Sequence, residues 1–150
     1  MENLKKINEQ LSIATNQVTP TQLQQAAQAG FKSVLNFRSP QEEGFLSDEE
    51  KQAEAAGLEY VNLPVKPNGI TEELADQIIQ QIDYLPKPIL LHCKSGLRSG
   101  AMALMYIAIK EKIPADTILE QGEEMGFDCN KFPEMKKFLI THISKYSNNH

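Results

Sequence analysis

Residues 88–110 read PILLHCKSGLRSGAMALMYIAIK, so an apolar strand runs into a cysteine, a short loop and an arginine, and then into an apolar helix. A loop between a buried strand and a buried helix lies at the carboxyl end of the strand. The unpaired N–H groups and the positive dipole end of the helix favour a thiolate on Cys93 and an oxyanion above it. A cysteine in such a place is a nucleophile at neutral pH.

The predicted site is an anion cradle built around this loop. Cys93 is the predicted nucleophile, Arg98 binds two oxygens of the ligand through its planar guanidinium, and His92 supports the loop. The residues predicted to surround the bound oxyanion are Lys94, Ser95, Gly96, Leu97, Arg98 and Ser99. A buried core thiol is the alternative for Cys93, but it leaves the histidine, glycine and arginine beside it unexplained.

Size and composition indicate one enzyme-sized domain over residues 1–150. The chain is 41% hydrophobic, and no linker or repeat divides it. Two cysteines make no disulfide framework and the first residues lack the apolar core of a signal peptide, so we expect a cytoplasmic protein. The longest apolar stretch, 101–109, is shorter than the ~20 residues that cross a membrane. The net charge of −5 disfavours nucleic acid and anionic membranes as partners.

Alternating strand and helix patterns predict an α/β fold with a central, mostly parallel sheet flanked by helices on both faces. We expect strands near 11–14, 31–37, 58–63 and 88–91, and helices from Thr19 to Gly30 and over 48–56, 71–84, 99–110, 114–125 and 133–143. Thr19, Asp48 and Thr71 are the predicted N-caps of three of these helices. The polar tail from Ser144 to His150 is expected to fray.

His-Cys-x-x-Gly followed by Arg-Ser resembles the signature loop of the cysteine-dependent protein tyrosine and dual-specificity phosphatases. The chain around it is similar to the phosphatase-like family found in beta-lactamase hydrolase-like proteins, with Asn36-Phe37-Arg38 and Tyr60 to Val65 in the expected order. The resemblance implies a dual-specificity-phosphatase-like fold and phosphoester hydrolysis through a phosphocysteine on Cys93, without a cofactor. It also implies that the Ser99 hydroxyl helps the thiolate leave, although Ser99 could equally cap the next helix.

Two departures from this signature favour a different chemistry. Only four residues separate Cys93 from Arg98, whereas the phosphatase signature has five, and its arginine position falls here on Ser99. The loop at 66–69, where relatives carry an aspartic general acid, reads Lys-Pro-Asn-Gly. A general acid contributes typically 10²–10⁴-fold, so a phosphatase without one is slow unless a carboxylate reaches in from elsewhere. The candidates for that carboxylate are Glu42, Glu43, Asp48 and Glu72.

Three functions are therefore open. The first is a cysteine-dependent phosphatase, and the second is a rhodanese-like sulfurtransferase that carries a persulfide on Cys93. The substrate would be a phosphorylated or sulfur-donating small molecule or protein. The third is a module that binds phosphate or sulfate without turnover. Arg38 could face the same pocket, although an exposed strand-end arginine is the commoner case, and Cys129 could act as a resolving thiol.

Overall fold

A computed structural model describes residues 3–147 and contains a five-stranded sheet. The strands are β1 Leu4–Lys6, β2 Leu11–Ala14, β3 Ser33–Asn36, β4 Glu59–Asn62 and β5 Ile89–His92. They lie in the order β1-β2-β5-β3-β4, in which β1 is antiparallel to β2 and the other neighbours are parallel. This arrangement confirms the predicted α/β fold with a mostly parallel sheet.

Six helices and one 3-10 turn complete the described residues. They are α1 Pro20–Gln28, α2 Glu49–Ala55, α3 Glu72–Tyr84, α4 Leu97–Glu111, α5 Ala115–Glu124, the 3-10 turn Cys129–Lys131 and α6 Pro133–Ser147. Of α4, almost every residue up to Ala108 is buried, which explains why its sequence is apolar on all sides. Within residues 3–147, no helix combines the length and the apolar character that crossing a bilayer requires.

The helices cover the sheet from two sides and bury two clusters of apolar side chains. The larger cluster packs α3 and α4, with α5 and α6 beyond them, against β2 and β5. The smaller one packs α1 and α2 against the other face, around Val34, Leu58 and Leu90. Leu90 and Leu91 of β5 are fully buried on opposite faces, as expected for a central parallel strand.

The sheet register brings three strand ends together at the site. His92, the last residue of β5, pairs with Ala14 of β2 on one side and with Asn36 of β3 on the other. All three strands are parallel, so the segments that follow them leave from the same edge. The loop after His92 is therefore flanked by Thr15 and by the segment from Phe37 onward.

Several predicted boundaries differ from the observed ones. Strand β1 was not predicted, because three partly exposed edge residues carry no clear apolar pattern. Helix α4 begins at Leu97 rather than at Ser99, and Gly96 is its N-cap, so the prediction that Ser99 caps this helix is wrong. Helix α6 continues to Ser147, beyond the predicted start of a frayed tail, and residues 148–150 of that tail lie outside the described residues.

All three predicted N-cap positions are confirmed, and two of the three side chains make a capping hydrogen bond. The Thr19 side chain accepts a hydrogen bond from the amide of Gln22, whose side chain bonds back to the Thr19 amide. The Thr71 side chain caps α3 through the amide of Leu74. Asp48 is the N-cap residue of α2, as predicted, but its side chain makes no capping hydrogen bond.

Candidate active site

The Cys93 sulfur lies fully buried in the loop between β5 and α4. The amide of Gly96 donates a hydrogen bond to Sγ over 3.2 Å. The Ser99 Oγ is 3.4 Å from Sγ and 3.3 Å from the carbonyl oxygen of Gly96, so its single proton can be given to either. These donors, at the N-terminus of a fifteen-residue helix, would stabilise negative charge on the sulfur.

Glycine is required at position 96 for two reasons. Its φ is +90°, in the left-handed region that side chains with a Cβ avoid. A Cβ there would also lie 3.1 Å from the Cα of Thr15 and 3.2 Å from the carbonyl oxygen of Ala14. This glycine allows the short loop to pack directly on the end of β2.

Arg98 projects from the first turn of α4 and forms a bidentate ion pair with Glu42. Its two terminal nitrogens are 2.7 and 2.8 Å from the two carboxylate oxygens of Glu42. One of them also donates to the carbonyl oxygen of Val65 over 3.1 Å. The hydrogen-bonded Glu42 raises the pKa of Arg98, and Cys93 contributes in the same direction. The guanidinium is therefore near the sulfur, but its terminal N–H groups already bind a carboxylate.

Glu42 is the one carboxylate among the four candidates that contacts the loop residues in the described structure. Its hydrogen bonds from Arg98, followed by those from the Ser39 amide and Arg38, lower its pKa from 4.5 to about 2 against the opposing effect of burial. Such a group is ionised at neutral pH and has no proton to give. The geometry thus assigns Glu42 to positioning Arg98 and not to general acid catalysis.

The other three candidate carboxylates are engaged elsewhere or exposed. Glu72 at the start of α3 forms an ion pair with Lys145 of α6. Asp48 accepts a hydrogen bond from Gln52 one turn later in α2. The Glu43 side chain is exposed. In the described part of the chain, none of these three carboxylates contacts the Cys93 loop.

We expect the Arg98–Glu42 ion pair to make the stability of the protein decrease at acidic pH. Because the pKa of Glu42 is lowered on folding, its contribution to stability is complete above about pH 4.5 and is lost as the pH falls toward about 2. The free energy of unfolding, measured with urea, should fall less between about pH 6 and pH 3 for Glu42→Gln than for the parent protein. Glu43→Gln, at the exposed neighbour, is the control. An unchanged acid dependence in Glu42→Gln would contradict this assignment.

A buried polar network lies behind the loop and was not foreseen. Nε2 of His92 is 2.6 Å from Oε2 of Glu49, and both side chains are buried. Gln17 donates to the other Glu49 oxygen over 2.9 Å, and Asn36 reaches Oε2 at 3.4 Å. Asn36 also donates to the hydroxyl of Tyr60, whose pKa is raised by burial and by Glu49. His92 is thus fixed through Nε2, while its Nδ1 has no partner among the described residues.

The burial of Glu49 could have been inferred from its position relative to Ala53 in α2. The acidic run at the start of α2 was interpreted as a helix first turn, where carboxylates interact with the dipole. However, Glu49 lies four residues before the buried Ala53, so both project from the same face of α2. That face packs on the sheet, and this packing brings the Glu49 carboxylate into contact with His92.

Arg38 is buried, so the prediction that it is exposed is wrong. It is 2% exposed, and its guanidinium donates to Gln17 over 2.6 Å and to the carbonyl oxygen of Glu43. Its Nε donates over 3.3 Å to Oε1 of Glu42, an oxygen that also accepts a hydrogen bond from Arg98. Arg38 therefore holds the segment after β3 in the position from which Glu42 meets the loop.

The remaining candidates separate into loop and core residues. Lys94 and Ser95 are exposed at the tip of the loop, and Leu97 is buried beneath it. Cys129 lies in the core, and burial raises its pKa to about 11. Both cysteines are free, and a resolving role for Cys129 stays a prediction. A thiol held protonated in this way is a poor attacking group.

The chain is similar to a known protein family and to curated bacterial proteins. Residues 3–109 match the family model for the phosphatase-like domain of beta-lactamase hydrolase-like proteins. A beta-lactamase hydrolase-like protein of Agrobacterium fabrum is 30% identical over 147 residues, which are 94% of this chain and 34% of that protein. The protein of the same name from Xylella fastidiosa is 30% identical over 128 residues, 83% of this chain and 30% of the relative. The chain thus spans about a third of the length of these relatives.

Solved structures with the same fold include phosphatases. A provisionally named phosphatase of Neisseria meningitidis is 26% identical with a TM-score of 0.75, and the alignment covers 93% of this chain and 99% of that one. TpbA of P. aeruginosa, solved in complex with pTyr, has a TM-score of 0.77 at 17% identity, covering 99% and 91%. The catalytic domain of the S. cerevisiae PP-IP phosphatase SIW14 has a TM-score of 0.71 at 15% identity, covering 99% and 88%. The last two likenesses show the fold alone.

Proposed function

Because the chain belongs to the phosphatase-like domain family of beta-lactamase hydrolase-like proteins, we propose that it hydrolyses phosphoesters of the tyrosine or dual-specificity type through a phosphocysteine on Cys93. The observation that carries the proposal is the environment of the sulfur. Sγ is buried at a helix N-terminus, accepts the Gly96 N–H and has the Ser99 hydroxyl and Arg98 beside it. A structural thiol has no need of these donors.

The first step is an exchange at phosphorus. The Cys93 thiolate attacks the phosphorus atom, an S–P bond forms, and the bond from phosphorus to the ester oxygen breaks. The loop N–H groups and Arg98 stabilise the phosphoryl oxygens during this transfer. Because Glu42 is ionised, the departing oxygen takes its proton from water. Phosphoesters of acidic alcohols such as phenols should therefore react fastest.

The second step returns the enzyme to its starting state. Water attacks the phosphocysteine, inorganic phosphate is released, and the S–P electron pair returns to sulfur as the thiolate. Ser99, 3.4 Å from Sγ, is placed to donate a hydrogen bond to that developing charge. This position supports the role that the family resemblance implies for Ser99.

In this cycle Arg98 has to contact both Glu42 and the phosphoryl group of the substrate. In the structure it binds Glu42 and the Val65 carbonyl, so a phosphoryl group either shares the guanidinium with Glu42 or displaces it. Glu42 orients the guanidinium through both terminal nitrogens, which reduces the number of positions that Arg98 can adopt. The ion pair thus orients Arg98 beside the Cys93 loop, and a bound anion has to compete with Glu42 for the guanidinium.

Trapping the intermediate tests the proposal. The protein is mixed with 4-nitrophenyl phosphate, quenched in acid and digested, and the Cys93 peptide should gain the mass of one phosphoryl group. The sulfurtransferase hypothesis, which rests on the four-residue interval and the missing acid, predicts instead that thiosulfate adds one sulfur atom to the same peptide. A persulfide without a phosphoryl adduct would reject the phosphatase, and neither adduct would favour a module that only binds anions.

Removing the arginine should slow the reaction strongly. Arg98→Ala is expected to lower kcat/KM for 4-nitrophenyl phosphate by on the order of 10²–10³-fold, because one positioned donor to the transition-state charge is lost. Arg98→Lys keeps the charge without the planar, two-pronged geometry and should recover a small part of the rate. Lys51→Gln, at an exposed position on α2, is the control. A loss below about threefold in Arg98→Ala would show that Arg98 does not contact the reacting group.

A further inference from the structure

A cavity of about 370 Å³ opens beside the Cys93 loop, and the mechanism above does not use it. Ser95 and Leu97 of the loop line it together with Thr15, and the segment 126–132 contributes much of the remaining wall. Ser95 follows Cys93 by two residues, so their Cα atoms are within about 7 Å of each other. The cavity therefore borders the loop that would hold a phosphate at Cys93.

Two lysines give the cavity a positive charge in a chain whose net charge is −5. Lys131 is exposed, and its ammonium has no hydrogen-bond or ion-pair partner within residues 3–147. The Lys5 ammonium donates to the carbonyl oxygen of Met125 and lies 5.6 Å from the centre of the Phe127 ring. Both lysines line the cavity, and neither is paired with a carboxylate in the described residues.

One acidic residue, Asp128, shares the cavity wall. Its Oδ1 accepts the amide of Asn130 over 3.0 Å, because it caps the 3-10 turn that begins at Cys129. The charged groups lining the cavity are thus two ammonium groups and one carboxylate. The net charge of one positive unit favours an anion over a neutral or cationic group.

The segment 126–132 is placed by packing against α4 rather than by the loop itself. The Phe127 ring lies so close to Gly100 that a Cβ at that glycine would be 2.5 Å from the ring. This contact fixes the wall relative to the helix that begins at the cradle. The segment also lies beyond residues 3–109, which match the family, so the match does not account for Lys131.

We propose that this cavity is a substrate subsite that binds a second anionic group, a carboxylate or phosphate, carried by the leaving group of a small phosphoester. The inference rests on the proposed function, because the subsite is defined relative to a phosphoryl group on Cys93. The volume is within the range of small-molecule sites. Lys5 and Lys131 supply the charge, and Phe132 at 36% exposure supplies apolar surface for the carbon skeleton.

Binding of a matched pair of phosphonates tests the subsite without requiring turnover. The probes are 3-carboxybenzylphosphonate and its uncharged amide, 3-carbamoylbenzylphosphonate, titrated by calorimetry. The parent protein should bind the carboxylate about fivefold more tightly, the range expected for partly exposed ion pairs. Lys131→Gln should reduce this ratio to about twofold, and Lys5→Gln with Lys131→Gln should bring it to about one. Raising the salt concentration should reduce it as well.

Two further variants separate a subsite from a general charge effect. Lys51→Gln removes the same charge at an exposed position on α2 and should leave the ratio unchanged. Asp128→Asn keeps an oxygen that can cap the turn while removing the negative charge, so it should raise the ratio above that of the parent protein. Equal affinities of the parent protein for the two phosphonates would overturn the subsite and leave the proposed function intact. Failure of both phosphonates to bind would reject the proposed function and the subsite together.

Discussion

Cys93→Ser is expected to lower the turnover of 4-nitrophenyl phosphate by on the order of 10⁴-fold or more while the protein remains folded. A serine hydroxyl is far less ionised than a thiol, so the loop donors that stabilise the thiolate cannot make it an equivalent nucleophile. The fold should tolerate the change, because a serine oxygen can accept the Gly96 amide that now bonds to Sγ over 3.2 Å. The measurements are initial rates and urea unfolding of the same preparations.

Cys129→Ser is the matched control for this prediction. Cys129 is also buried, and burial raises its pKa to about 11, so it is not placed to react. The control should lose some stability through the burial of a hydroxyl, on the order of 1–2 kcal/mol, but keep its kcat. Activity in Cys93→Ser close to that of the parent protein would remove Cys93 from the mechanism. Equal losses of activity in both variants would point to a general effect on the fold.

The second large effect is expected on stability, from Glu49→Ala. The change leaves Nε2 of His92 without its 2.6 Å partner and also removes one of the two acceptors of the Gln17 side-chain amide. His92 is fully buried and its Nδ1 already has no partner in the described structure, so water cannot easily replace the lost contact. Leaving a buried polar group without its hydrogen-bond partner costs about 1–3 kcal/mol, and this change affects His92 and Gln17 together. For a chain of this size that corresponds to a fall in Tm of very roughly 10 °C.

Glu50→Ala is the control, since Glu50 is the exposed neighbour of Glu49 in the same helix turn. It should change the free energy of unfolding by less than about 0.5 kcal/mol. Glu49→Gln keeps one oxygen for hydrogen bonding and should fall between the two. Urea unfolding at about pH 7 measures all three. A loss below about 1 kcal/mol in Glu49→Ala would show that the network has little weight in the stability of the protein.

Much of the fold, and the strand-loop-helix unit that carries Cys93, could be predicted from local sequence patterns. The continuous apolar run before His92 and the apolar run after Ser99 marked a buried strand and a buried helix. Thr19 and Thr71 marked helix starts because an N-cap is a contact between residues three positions apart. Gly96 marked the turn because its backbone conformation is a property of that residue alone.

The partners of the site residues depend on which strands lie side by side, and the chain order does not state this. β5 inserts between β2 and β3, so the segments after Asn36 and Ala14 flank the Cys93 loop although they are distant in sequence. Glu42 meets Arg98 across 56 residues and Glu49 meets His92 across 43. Glu42 was predicted as one of four carboxylates that could reach the site, whereas Glu49 was visible only as part of an acidic cluster at a helix start. The tertiary structure buried Glu49 and partly buried Glu42, because the strand order placed a histidine and an arginine where each of them could be paired.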